Sequence, residues 1–578
     1  MKMRGSDIVV RALEDEGIRL TFGIPGTHNT ELYDALERSS KITPVLVTDE
    51  QSASFMADAV SRTSDSIGVA NVVPGAGVTH CLSGVAEAFM DNIPLLVLTC
   101  GIRTDTGKAY QLHDIDQLAI LKPITKAAVR PERPEDIYPM VRRALAIARS
   151  GTPGPVAVEI PANFYLLTQD VPRLTFDEPL PAIPQPTAAD VDKAVQILKE
   201  AKFPVLYIGN GAKGAAPLVR ELAKRLSAPV ATTVQGKGVF PEMHPLWLWP
   251  GLGASAPPFA RKIMEKCDCL LAIGCRFGEV ATASYGFTPP PQLIHVDINR
   301  EVFNRNYPAQ LAIEADAESF LQALLPQLQA QVRNELLEAE IAAGHQHLRE
   351  IWATDASRQR VTPAFFFQSL QRAAGPRAIY ATDSGNGTFL AMEHLRLAEP
   401  GCFIGPIDYS CMGYSVPAAI GAKFANPERN VVALAGDGAL LMTGLELLTA
   451  ASYEVAPVIC VLRDGELGQI AQFQRTTLNR DTCTVLAPYS VEALARATNC
   501  DYLALNTDKD LDTVLVTAFE QAARRKPVMV EVAIDYSRKT YFTKGIVTTN
   551  FWRLPFTDRL RMLGRALSRR LTGVFEHR

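Results

Sequence analysis

Short β-branched, apolar runs recur along the chain, alternate with stretches of helical pattern, and fall into three groups. GVANVV, PLLVLTC and PVAVEI lie in the first third, and PVLYIG, PVATTV, CLLAIG and LIHVDI in the second. AIYATD, VVALAG, PVICVL and VMVEVAI lie in the last. This alternation is the pattern of parallel α/β architecture. The expected fold is therefore α/β, with three doubly wound parallel-sheet domains. Length agrees, because 578 residues exceed what one core holds and suggest about three domains. VPRLTFDEPLPAIPQPTAADV, from Val171 to Val191, carries five prolines and reads as an extended linker. Charged helical sequence from Gln329 to Arg360 gives way to VTPAFFFQSL, where Thr362 before Pro363 marks a helix start. The expected divisions are 1–170, a linker at 171–190, a middle domain at 191–345, a last domain at 362–545 and a tail at 546–578.

Composition narrows the function classes. With 47% hydrophobic residues, 21% charged and a net charge of −4, the chain is neither disordered nor basic enough to point to nucleic acid. Its ten cysteines form no C-x-x-C, and the one close pair is Cys267 and Cys269. That argues against a zinc module or a disulfide scaffold and for a reducing compartment. MKMRGSDIVV has no signal-peptide apolar region, and no apolar run approaches the ~20 residues of a membrane span. A cytoplasmic location is expected.

The most specific motif is GDGALLMTGLELLTAASYEVAPVICVLRDGELG, from Gly436 to Gly468. One strand runs into Gly436-Asp437-Gly438 and a second ends at Arg463-Asp464-Gly465-Glu466. Each strand brings a carboxylate to the carboxyl edge of a sheet, where oxygen-bound Mg²⁺ can bridge protein to a cofactor's phosphates. The glycines let phosphate oxygens approach backbone N–H groups at a helix start.

This spacing resembles the diphosphate-binding signature of thiamine-diphosphate enzymes, acetolactate synthases among them. The resemblance implies three domains: pyrimidine-binding, middle and diphosphate-binding. It also implies metal ligation by the Asp437 and Asp464 side chains and the Glu466 carbonyl, with Leu467 and Gly468 beside the diphosphate. The family usually has Asn-Asn where this chain has Arg463-Asp464; aspartate adds a negative charge, which the neighbouring arginine offsets. In VLVTDEQSASF, Glu50 matches the carboxylic acid that activates the aminopyrimidine ring, and Asp49 is its neighbour. GIPGTHN resembles an active-site loop, with Gly26 near the cofactor and His28 at the substrate pocket. VVPGAGVTHC carries His80 where asparagine is usual, YQLHDIDQ places Gln111 on a glutamine of the acetolactate synthase site, and His113 lies beside it. TDSGNGT puts Gly385, Asn386 and Gly387 near the diphosphate. In YSCMGYS, Met412 matches the apolar wedge that bends the cofactor, and the Ser410 and Met412 backbones match its pyrimidine contacts.

The implied reaction is decarboxylation of a 2-keto acid followed by ligation of the remaining fragment to a second carbonyl. Product is then an acyloin or an acetohydroxy acid. Acetolactate synthases carry R-F-D-D-R in the middle domain, and here Arg276-Phe277-Gly278-Glu279-Val280 lacks the last cation. Phe473 replaces the family tryptophan tied to acceptor size. Both departures favour an aldehyde acceptor over an anionic one. A simple 2-keto acid decarboxylase fits less well: there is no His-His pair, and Ile470 stands where those enzymes have a glutamate. A 2-hydroxyacyl-CoA lyase and a non-catalytic relative remain as alternatives. The middle domain resembles the part that binds FAD in acetolactate synthases and ADP in oxalyl-CoA decarboxylases, with Asp297 for a ribose and the 209–211 GNG for a phosphate. The family implies a homodimer or homotetramer, whose partners are small-molecule keto acids and carbonyl acceptors. The tail FTDRLRMLGRALSRRLTG sets Leu560, Leu563, Leu567 and Leu571 on one helical face amid arginines, a pattern that fits peripheral contact with an anionic membrane.

Overall fold

The computed structural model describes residues 2–170, 176, 182–354 and 359–572, so much of the stretch expected as a linker lies outside the described residues. Each third of the chain folds around a six-stranded sheet whose strands all run parallel. In the first sheet the spatial order is Thr43–Leu46, Leu20–Gly23, Gly68–Val72, Leu95–Gly101, Pro155–Pro161 and Ala127–Val129. The third repeats that order with Phe403–Ile404, Ile379–Thr382, Val431–Gly436, Val458–Leu462, Val528–Val532 and Asp501–Leu505. The second differs: Trp247–Pro250, Val230–Thr232, Pro204–Ile208, Cys269–Ile273, Gln292–Asp297 and Leu311–Glu314. That arrangement is the order of dinucleotide-binding sheets. Central strands such as Leu95–Gly101 are buried at every position, which is why they read as unbroken apolar runs.

In a sheet of this kind ligands bind beyond the carboxyl ends of the strands, where the winding direction reverses. The reversal falls between Leu20–Gly23 and Gly68–Val72 in the first sheet and between Ile379–Thr382 and Val431–Gly436 in the third. The segments leaving those strands hold the sequence motifs described above.

First and last sheets meet through two helices, Glu50–Thr63 and Ser415–Ala425. Tyr414 packs edge-on against Phe55 at 5.3 Å and donates its hydroxyl to the Asp58 carboxylate at 2.5 Å. Gly421 makes the approach possible, because a Cβ there would press on the Met56 backbone. Arg62, buried at the end of the first helix, donates to Asp58 at 2.6 Å and ion-pairs with Asp91 at 2.9 Å, and its carbonyl accepts from Lys213 of the middle domain at 2.9 Å.

Helix Pro363–Ala374 begins after Thr362, whose N–H and hydroxyl both bond Asp508 instead of capping the helix. Near the end of the chain, helix Tyr541–Arg553 runs across position 545, and helix Phe556–Thr572 follows it. Among the described residues, no helix is long and apolar enough to cross a membrane.

Gly421→Ala should force the two helices apart at a cost of about 1–3 kcal/mol. Denaturant unfolding should report this as a lowered midpoint; an unchanged midpoint would show that the contact relaxes freely.

Candidate active site

Asp437 is the first residue of helix Asp437–Thr443 and is fully buried. Its Oδ1 accepts from Arg463 Nη1 at 2.6 Å and from the Tyr489 hydroxyl at 2.8 Å. Its Oδ2 accepts the N–H groups of Asp464 and Gly465, each at 2.9 Å. One carboxylate thus ties together the ends of two neighbouring strands. Burial pushes the Asp464 carboxyl up to about 7, the Asp437 and Glu466 carboxylates add to this, and the Glu466 N–H opposes it. The Glu466 side chain turns away to Arg475, leaving its backbone to serve the loop.

Two observations bear on a diphosphate here. The Asn386 Nδ2 is buried without a hydrogen-bond partner among the described residues and, like an Asp464 oxygen, borders Gly468. A buried donor left unspent costs free energy that an anionic oxygen would recover. Gly385, at φ 144°, opens helix Asn386–His394, so Gly385, Asn386 and Gly387 face the same edge as Gly436 and Gly438. The residues fit a diphosphate. For a cation the chemistry is oxygen-rich, yet both Asp437 oxygens already have two donors each.

Met412 precedes Gly413, whose φ of +92° makes the bend. Asp383 fixes this bend: its carboxylate accepts from Gly413 N, Ser415 N and Ser415 Oγ at 2.7–2.8 Å. Ser410, also at positive φ, shares a 2.8 Å hydroxyl contact with Ser384. Met412 Sδ and Leu467 Cδ2 converge on Gly438, 3.4 and 2.6 Å from where a Cβ would stand. Sequence reasoning missed Asp383 and Tyr489. Asp383 had a signal, since it follows a strand as Asp437 does; Tyr489 lies in no motif.

In the first domain Glu50 opens its helix and is buried, with Oε2 3.2 Å from His80 Nδ1. His80 lies on helix Ala76–Asp91, which reaches the Met412 loop further along. There Glu87 accepts the Cys411 N–H at 3.3 Å and the Ser83 carbonyl accepts the Cys411 thiol at 3.4 Å. One helix therefore touches both the Glu50 carboxylate and the Met412 loop. Gly26 sits in a turn closed by its N–H to Asn29 Oδ1 at 2.8 Å. The sequence holds no adjacent histidine pair, but the fold makes one in space: His28 and His113 rings meet edge to face at 5.4 Å. Burial, then His113, lowers the His28 pKa. Gln111 donates to the Arg103 carbonyl at 3.0 Å within the same exposed loop.

Ile470 and Phe473 lie on helix Gly468–Leu478, the first half-exposed and the second partly buried. Helix Phe556–Thr572 docks on the far end of that helix, where Arg565 donates to the Thr477 carbonyl at 2.5 Å and Asn479 to the Arg565 carbonyl at 2.9 Å. Leu560, Leu563 and Leu567 of the terminal helix point outward, more than half exposed, as do Trp552 and Phe556. In the middle domain Glu279 folds back onto Ser284 Oγ at 3.2 Å, and Arg276 bonds Asp408 and the Met90 carbonyl. A cavity of about 400 Å³ opens where the middle sheet reverses, with Asn210, Gly211, Asp297 and Arg62 in its walls. Burial raises the Asp297 carboxyl to about 6. The Gly209 and Gly211 N–H groups are already spent on the Ile273 and Gly274 carbonyls.

Comparison with known families agrees with this geometry. Residues 3–120 match the N-terminal TPP binding domain of thiamine pyrophosphate enzymes, 191–324 their central domain and 383–532 their C-terminal TPP binding domain. The chain belongs to the thiamine pyrophosphate enzymes. Within them it is similar to the acetolactate synthase isozyme 3 large subunit of Escherichia coli, at 30% identity over 553 residues, covering 93% of this chain and 96% of that one. It is 32% identical over 494 residues to a probable acetolactate synthase large subunit of Methanocaldococcus jannaschii, covering 82% of each. An acetolactate synthase large subunit of Mycobacterium tuberculosis is 30% identical over 574 residues, covering 95% and 91%.

Asp383→Asn replaces an acceptor with a donor facing N–H groups, a mismatch costing about 1–3 kcal/mol. Thermal unfolding should fall and thiamine diphosphate affinity should weaken together, measured by melting and by titration calorimetry.

Proposed function

We propose that the protein decarboxylates a 2-keto acid with thiamine diphosphate and joins the remaining fragment to a second carbonyl, giving an acetohydroxy acid or an acyloin. The observation that carries this reading is the convergence of Asp437, Asp464, Asn386 and Met412 at one sheet edge. Similarity to acetolactate synthase large subunits over nearly the whole chain supports it. When bound, thiamine diphosphate supplies a nucleophilic carbon and an electron sink for the departing carboxylate's electrons. Gly385, Asn386, Gly387, Gly436, Gly438, Leu467 and Gly468 hold the diphosphate in this reading. Gly26, Ser410 and Met412 hold the rings, while Asp437, Asp464 and the Glu466 carbonyl form the donor set for Mg²⁺. Glu50 manages the proton of the aminopyrimidine.

Substrate binds among His28, Gln111, His113, Ile470 and Phe473. Ile470 has no proton to give, so the decarboxylated fragment survives to form a carbon–carbon bond. An aldehyde acceptor is favoured because position 280 is valine and Arg276, the cation of the same loop, is engaged with Asp408. A second copy of the chain completes the assembly, covering the exposed Leu441, Met442 and Leu445 beside the diphosphate motif. The middle cavity receives a nucleotide, FAD or ADP. The outward Leu560, Leu563 and Leu567, flanked by Arg559, Arg561 and Arg565, rest on an anionic lipid surface.

Glu50→Gln should leave thiamine diphosphate binding measurable and cut carbon dioxide release from a 2-keto acid by roughly 100-fold or more. Undiminished release would remove Glu50 from the mechanism. Product analysis by mass spectrometry, with keto acids alone and with added aldehydes, identifies the acceptor. A chain ending at Leu554 should lose sedimentation with phosphatidylserine vesicles; equal and negligible binding by both chains would end the membrane reading.

A further inference from the structure

We propose that Arg463 is a built-in counter-cation of the diphosphate loop. It takes over at Asp437 part of the charge that a divalent metal supplies, so cofactor retention depends only shallowly on metal. The inference rests on the diphosphate assignment above and concerns the one place where this loop departs most from its family pattern.

Charge is the first reason. An Asp–Asn ligand pair carries one negative charge and Asp437 with Asp464 carries two; Arg463 brings one positive charge to Asp437, shared with Glu531. Geometry is the second. Arg463 is held from three sides: Nη1 on Asp437 Oδ1 at 2.6 Å, Nε on Glu531 Oε1 at 3.1 Å, and the Tyr489 ring 4.4 Å beneath its carbon. Glu531 is itself fixed by the Tyr502 hydroxyl at 2.6 Å. The arginine is therefore a placed group and not a solvated side chain that happens to lie near an acid.

Saturation of Asp437 is the third reason. A carboxylate oxygen offers about two acceptor directions, and both oxygens of Asp437 already have two donors. A metal entering at Asp437 must displace the guanidinium, the Tyr489 hydroxyl or the amides that shape the loop. The amides are part of the turn itself, and an evicted guanidinium would stay beside the incoming cation at a Coulombic cost. Guanidinium keeps its charge at any working pH, and its planar fork of five donors suits phosphate oxygens. Metal and arginine thus contend for one carboxylate, and the arginine is tethered.

The test is equilibrium titration of thiamine diphosphate into the full-length protein, in Mg²⁺ and again in excess EDTA. Wild type, Arg463→Asn and Arg463→Lys are compared, with folding checked by thermal melting. Removing metal should weaken wild type by about tenfold or less and Arg463→Asn by roughly 100-fold or more. Arg463→Lys, which keeps the charge and loses the fork, should fall between them. An arginine that merely latches the loop would weaken binding equally with and without metal, and that result overturns the proposal. So does a wild type as metal-dependent as Arg463→Asn. Absence of binding under every condition removes the diphosphate assignment and the proposal with it, whereas wild-type binding that is tight in Mg²⁺ and lost in EDTA removes the proposal alone. Should Arg463→Asn fail to fold, the wild-type and Arg463→Lys pair decides by the same criterion.

Discussion

The molecule turns on a buried charge cluster where its three domains meet. Arg62, from the first domain, pairs with Asp58 and Asp91, its carbonyl accepts from Lys213 of the second, and Tyr414 of the third completes the Asp58 site. Glu87 lies beside them, and burial, then the Asp91 charge, pushes its pKa up while Arg62 opposes the shift. Charges this deep are costly alone and tolerable only when paired in fixed geometry. The cluster therefore commits the domains to one mutual placement. Helix Ala76–Asp91, which carries Glu87 and Asp91, also carries His80, and through it the arrangement reaches Glu50.

The sheets and the diphosphate loop were legible in the sequence; the Arg62 cluster was not. Parallel strands buried on both faces leave unbroken apolar runs, so the three sheets could be read before any coordinate was known. GDG and its second strand were legible for a similar reason, since a strand, a turn and a helix start are local features. The Asp437 and Met412 loops lie at sheet edges where such turns lead.

What escaped the sequence is contact between distant segments. Asp437 is bonded to Tyr489 across 52 residues, and His28 meets His113 with three strands of the first sheet between them. No periodicity encodes such pairs. The absence of adjacent histidines in the sequence said nothing about histidines that folding brings together. Thr362 was legible as a helix start, but its bonds go to Asp508, because a distant carboxylate outcompeted the local cap. Glu279, in the loop that lacks the family's last cation, folds onto Ser284.

The shared strand order of the first and third sheets has a consequence for how the cofactor is held. In the proposed reading, two crevices of one design, from whichever copies of the chain they come, receive the two ends of a single flexible guest. Such a guest binds as a bivalent ligand: once one end is seated, the other sees its crevice at an effective concentration set by the short link between them. Neither crevice then needs to grip strongly. Exchange of the cofactor requires both to let go together, and slow release follows from topology as much as from any single contact.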